Sequence, residues 1–146
     1  MGAWGAGNFE NDMALDFVYM LQNTDDLKLI ENVADRILNT DLTDDHNYLD
    51  ADDATEIIVA GEVIALLEGK PASKLPEDLT DWQQKHTLTV APELRQRVLQ
   101  ALKLAFADSE LRELWEEGGV ESEDFLEWEA NVNELIIRLE SLAGSG

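Results

Sequence analysis

Between Ile57 and Leu67 the only charged residue is Glu62, and a helix that is apolar on nearly every side has to be enclosed by other helices. The chain supplies the partners. Ala14, Phe17, Val18 and Leu21 share one helical face, as do Leu27, Ile30, Ala34, Ile37 and Leu38, and then Leu94, Val98, Ala101, Leu102 and Ala105. The longest stripe, Phe125, Trp128, Val132, Leu135, Ile136 and Leu139, keeps the i, i+3, i+7 spacing of an amphipathic helix over four turns. No segment alternates like a strand, with HTLTV at 86–90 the only short candidate. The expectation is an all-α, single-domain bundle of about six to seven helices over residues 1–143, with residues 1–8 a Gly-rich N-terminal arm and 144–146 a flexible tail.

Punctuation supports these elements. Thr24 is expected to cap a helix whose first turn holds Asp25 and Asp26, Asp50 the helix ahead of Ala54, and Asp108 the one ahead of Leu111. Gly69 and Gly118-Gly119 mark stops, while Pro71, Pro76 and Pro92 stand where helices can begin.

Charge narrows the range of functions. The chain of 146 residues carries 32 acidic and 10 basic side chains, a net charge of −22. Spread over roughly 7,500 Å² of folded surface, this predicts self-repulsion at low ionic strength and stability that rises with added salt. Such a field repels phosphate backbones, so direct nucleic-acid binding is not expected. A basic protein is the expected partner. The charge is also segregated: residues 1–69 hold 2 basic and 16 acidic side chains (−14), residues 70–103 hold 6 and 4 (+2), and residues 104–146 hold 2 and 12 (−10). Lys70, Lys74, Lys85, Arg95, Arg97 and Lys103 of the middle segment are expected to neutralise acidic neighbours in the fold.

There is no cysteine, hence no disulfide and no thiolate chemistry. The start MGAWGAGNFEND has neither the basic flank nor the apolar run of a signal peptide, and nowhere do 18 apolar residues run together. A cytoplasmic protein without membrane association follows as the expectation; oligomeric state is left open.

The opening MGAWGAGNFENDMALDF resembles that of domain-of-unknown-function family 4259, a mainly bacterial family whose members begin G-x-W-G-x-G-x-F-x-N-D. The matching positions are Gly2, Trp4, Gly5, Gly7, Phe9, Asn11 and Asp12, followed by Ala14 and Asp16. YLDADDATEIIVAGEVIALLEG at 48–69 and DSELRELWEE at 108–117 are similar too. The resemblance implies membership and brings no activity with it. In physical terms, Trp4 and Phe9 are apolar anchors for the arm, and Asn8 or Asn11 can cap the first helix. The glycines also permit an anion nest of backbone amides, but no G-K-[ST] follows and Lys28 is the first lysine.

Tests for catalytic constellations return little. His46 and His86 belong to no H-E-x-x-H pair or nucleophile elbow. The loop DLTDDHNYLDADD at 41–53, read as a calcium loop, has His46 where glycine is required and Asp52 where glutamate is. Glu113-x-x-Glu116 and Glu121-x-x-Asp124 resemble the carboxylate pairs with which helical magnesium-dependent phosphohydrolases hold their metal, and form the enzyme alternative. Arg112 and Glu116, one turn apart, are placed for an ion pair instead. Glu62, in the apolar helix, must lie at a rim, find a cationic or backbone donor, or hold a proton with a raised pKa. A group of Asp12, Asp16 and Glu62 would be a second enzyme signal. Trp115 and Trp128 lie in apolar stripes, whereas Trp82 sits in polar LTDWQQKH and is the aromatic expected to face a partner.

The sequence thus predicts a non-catalytic binding protein that reads a basic partner by electrostatics, of immunity or regulatory type. No catalytic, cofactor or metal residue is assigned. The candidate interaction positions are Trp4, Asn11, Asp12, Asp16, Glu62 and Trp82.

Overall fold

A computed structural model describes residues 7–9, 11–39, 49–86, 88–119 and 121–144, the last two without their side chains. Trp4, His46 and most of the acidic loop lie outside these residues. Among the described residues seven helices follow in order: α1 (Asp12–Gln22), α2 (Lys28–Leu38), α3 (Ala51–Leu67), α4 (Glu77–Lys85), α5 (Pro92–Ala107), α6 (Glu110–Glu116) and α7 (Glu123–Gly144). Among the described residues no strand forms, His86 and residues 88–90 of HTLTV included. The fold is an all-α bundle, as the periodicity requires.

Helix α3 is the axis. It packs against α1, α2, α5, α6 and α7, and all but one of the residues from Ala54 to Ala65 are buried. Gly61 lets this crowding occur: a Cβ there would lie 3.1 Å from Leu135 Cδ2, 3.3 Å from Leu102 Cδ2 and 3.4 Å from Leu139 Cδ1. The glycine therefore lets α5 and α7 close on the same turn of α3. The stripes read from the sequence on α1, α5 and α7 are buried throughout, and α2 adds Val33 to its buried face.

The helix ends correct some expectations. Asp50 does cap α3, its side chain accepting from Asp53 N at 2.7 Å, and Asn11 caps α1 by accepting from Ala14 N at 2.8 Å. Thr24 does not cap α2, because its hydroxyl is turned back to donate to Leu21 O at 2.8 Å; Asp26 accepts from Lys28 N instead. At α6 the cap is Ser109 rather than Asp108, which terminates α5. Pro92 opens α5 and Pro76 precedes α4, whereas Pro71 begins no helix. Gly69 and Gly119 take positive φ, +89° and +103°, where the chain leaves α3 and α6.

The middle segment partly neutralises the acidic flanks, as the charge distribution predicts. Arg95 pairs with Glu68 at 2.7 Å, Arg97 with Asp35 at 2.7 Å and Lys103 with Glu140 at 3.0 Å.

Candidate functional site

Two cavities flank the segment Gly7–Phe9, and Gly7 and Asn8 line both. The first, about 400 Å³, lies among α1, the start of α3, α6 and α7. A staple fixes its geometry: Glu110 N donates to Leu49 O at 2.9 Å, and the Glu110 carboxylate accepts from Ala51 N at 2.9 Å. This carboxylate satisfies an amide that the first turn of α3 leaves free and holds α6 beside it. The Asn11 cap sets the start of α1 on the opposite side. The floor is apolar, with Ile58, Leu111, Leu114, Trp115 and Trp128, and Asp12, Asp16 and Asp52 stand in the same lining. All three aspartates are exposed, and none has a basic partner among the described residues.

The second cavity, about 380 Å³, is lined in part by Glu62, a residue 1% exposed. Arg138 meets it with two nitrogens, Nη1 to Oε1 and Nη2 to Oε2, both at 2.9 Å. Asn8 Nδ2 donates to Oε2 at 2.8 Å, tying the N-terminal segment to the pair. Arg138 also donates through Nε to Glu134 at 2.6 Å and through Nη1 to Lys70 O at 3.0 Å. Burial opposes its charge, yet the hydrogen bonds it donates to Glu62 and Glu134 and the attraction of those two carboxylates together outweigh burial and raise its pKa. Of the three states open to Glu62, the structure shows the one paired with a cation.

The six expected positions are therefore dispersed. Asn11, Asp12 and Asp16 line the first cavity, Glu62 the second, and Trp4 lies outside the described residues. Asp12, Asp16 and Glu62 form no common group. Trp82 is a correction: it is 3% exposed, and its indole N–H donates to Thr24 O at 2.9 Å, so it pins α4 to the end of α1 and faces no partner. His86, one turn on, accompanies it through Nδ1, 2.8 Å from Trp82 O.

Of the carboxylates of the enzyme alternative, Glu116 is engaged within the fold. Glu116 accepts from Arg112 Nε at 2.9 Å, the expected pair, and Glu129 accepts from Arg112 Nη2 at 2.9 Å. Among the described residues no group of three or more His, Asp or Glu is arranged to hold a metal ion. Arg112 is held in another way: its guanidinium lies 5.3 Å from the Phe106 ring centre, 5.2 Å from that of Phe125 and 6.0 Å from that of Trp128. Sequence reasoning missed Arg138 and Glu110, and it read Asn8 as an alternative cap for α1, where the structure has Asn11 as the cap and Asn8 as a donor to Glu62. The only signal for Arg138 was a lone cation beside the stripe of α7.

A further acidic group joins α2 to α3. Arg36 reaches Asp53 at 3.3 Å and Glu56 at 3.2 Å. Burial raises the pKa of both carboxyls; Arg36 opposes it, and the neighbouring aspartates at the start of α3, its cap Asp50 included, add to it.

The site and fold define an acidic helical-bundle protein with an apolar, carboxylate-edged cavity. The family model described as "Domain of unknown function (DUF4259)" matches residues 2–131, and the chain belongs to that family. No curated protein and no solved structure matches it.

Proposed function

We propose that this chain is a non-catalytic binding protein that recognises a basic partner by charge. The observation that carries the reading is the fate of its arginines. All five are engaged with carboxylates of the same chain: Arg36 with Asp53 and Glu56, Arg95 with Glu68, Arg97 with Asp35, Arg112 with Glu116 and Glu129, and Arg138 with Glu62 and Glu134. The basic side chains that best recognise phosphate are thus committed internally, and the net charge of −22 belongs to the surface that a partner meets. A field of this kind raises association rates with cations and repels polyanions. An immunity-type protein or a regulator that covers the nucleic-acid face of a basic protein uses this physics. Among the described residues no helix is long and apolar enough to cross a membrane.

The test is affinity capture on the immobilised chain at about 20 mM salt, followed by elution with a salt gradient and association kinetics on what elutes. Basic proteins should be retained, with on-rates that fall by about tenfold or more toward 200 mM salt. Retention only of neutral or acidic proteins, insensitive to salt, overturns the reading. So does a thermal midpoint raised by one divalent metal well beyond a matched ionic-strength control.

A further inference from the structure

We propose that the cavity between α1 and α6 is the seat for one arginine or lysine side chain of the basic partner. The inference deepens the binding reading and rests on it. Three independent features converge there. The volume, about 400 Å³, falls in the range of pockets that enclose a side chain or small ligand. Two indoles, Trp115 and Trp128, line it, and an aromatic face attracts a cation most strongly when water is partly excluded. Asp12, Asp16 and Asp52 supply three carboxylates with no basic partner among the described residues, so a guest cation displaces no internal ion pair.

The fold already contains a small version of the same chemistry. Arg112 rests against Phe106, Phe125 and Trp128 while Glu116 and Glu129 accept its N–H groups. Aromatic rings with a pair of carboxylates thus hold one guanidinium in this region of the bundle. Among the described residues the cavity lining offers indoles with carboxylates and includes no lysine or arginine. A neutral apolar guest would leave the carboxylates unused, and an anion would be repelled by them.

The outer face of α1 extends the seat. Leu15, Tyr19 and Met20 are 39%, 67% and 41% exposed, and helical spacing places them beside Asp12 and Asp16. An apolar stripe interleaved with carboxylates complements a partner segment that alternates apolar and basic side chains around its anchoring cation.

The experiment uses the full chain, labelled so that its indole N–H signals are seen by NMR. It is titrated with two peptides differing at one position, arginine in one and its neutral isostere citrulline in the other. The arginine peptide should shift the Trp115 and Trp128 signals saturably and bind at least about fivefold more tightly. Trp115→Leu and, separately, Asp16→Asn should each weaken it by about threefold or more. Asp81→Asn, an equal charge change on α4 away from the cavity, should leave it unaltered within about 1.5-fold. Equal shifts by both peptides, or weakening by Asp81→Asn as large as by Asp16→Asn, overturn the seat. If the seat fails while basic proteins are still captured and released by salt, the binding reading stands without it; if capture fails too, both fall.

Discussion

Both oxygens of the Glu62 carboxylate accept from Arg138, each at 2.9 Å, across 76 positions of sequence. The pair joins the central helix to the last one at a point where water is almost excluded. Such a pair adds little beyond an apolar contact of the same volume, but removing one partner strands the other charge. Arg138→Met should cost about 3–5 kcal/mol in urea unfolding, and the double variant Glu62→Leu/Arg138→Met should recover most of that loss. Additive losses in the double variant would mean that the pair is not coupled.

Asp53 and Glu56 set a different sign of pH dependence. Their folded pKa values are raised, so the folded state binds these protons more tightly than the unfolded chain does. Their contribution to stability is complete below the ordinary carboxylate range and is lost as pH rises through their folded values. Unfolding free energy at pH 7 minus that at pH 4 should therefore be more positive in Asp53→Asn/Glu56→Gln than in the parent. An unchanged difference would remove these two groups as the cause.

Gly61 separates packing from helix propensity. Alanine gains about 1 kcal/mol of propensity over glycine, yet its Cβ would press on Leu135 Cδ2 at 3.1 Å. The two effects nearly offset, so Gly61→Ala should change stability by less than about 1 kcal/mol. Gly61→Val adds methyls with no space to take them and should cost about 1–3 kcal/mol or more. A valine variant as stable as the parent would show that the three helices do not close on this turn.

Self-repulsion from a net charge of −22 should be visible in the melting temperature. Raising NaCl from about 10 to 150 mM shortens the Debye length from about 30 to 8 Å. The midpoint should rise by at least about 3 °C, roughly the shift that 1 kcal/mol makes in a domain of this size. A midpoint flat in salt would count against a uniformly acidic surface.

The helical frame was legible because it is local. A 3.6-residue period announces a buried face without knowledge of what covers it, and α3 announced its central place by having no polar face at all. The candidate site was less legible because it is made by contacts distant in sequence. Glu62 could be recognised as needing a donor, but nothing within its own helix singles out Arg138. Trp82 misled because its immediate neighbours are polar; the better signal was Leu79 three residues before it, both buried on one face of α4. Asp108 and Ser109 are adjacent cap candidates, and choosing between them needs the φ and ψ that only the folded turn supplies. The first cavity draws on four separate stretches of chain, and the Glu110 staple that shapes it has no signature in either stretch it joins.

The central position of α3 also dictates how the molecule comes apart. Five helices share one axis, so none of them can leave without exposing the apolar surface of the others. Amide hydrogens of α3 therefore exchange with solvent only when the whole bundle opens. Helix α4 is bound chiefly to α1, through Trp82 and its bond to Thr24. Its detachment exposes Leu79 and Trp82 but leaves the packing around α3 in place, so among the seven helices it should open at the lowest cost and be the first that a protease cuts.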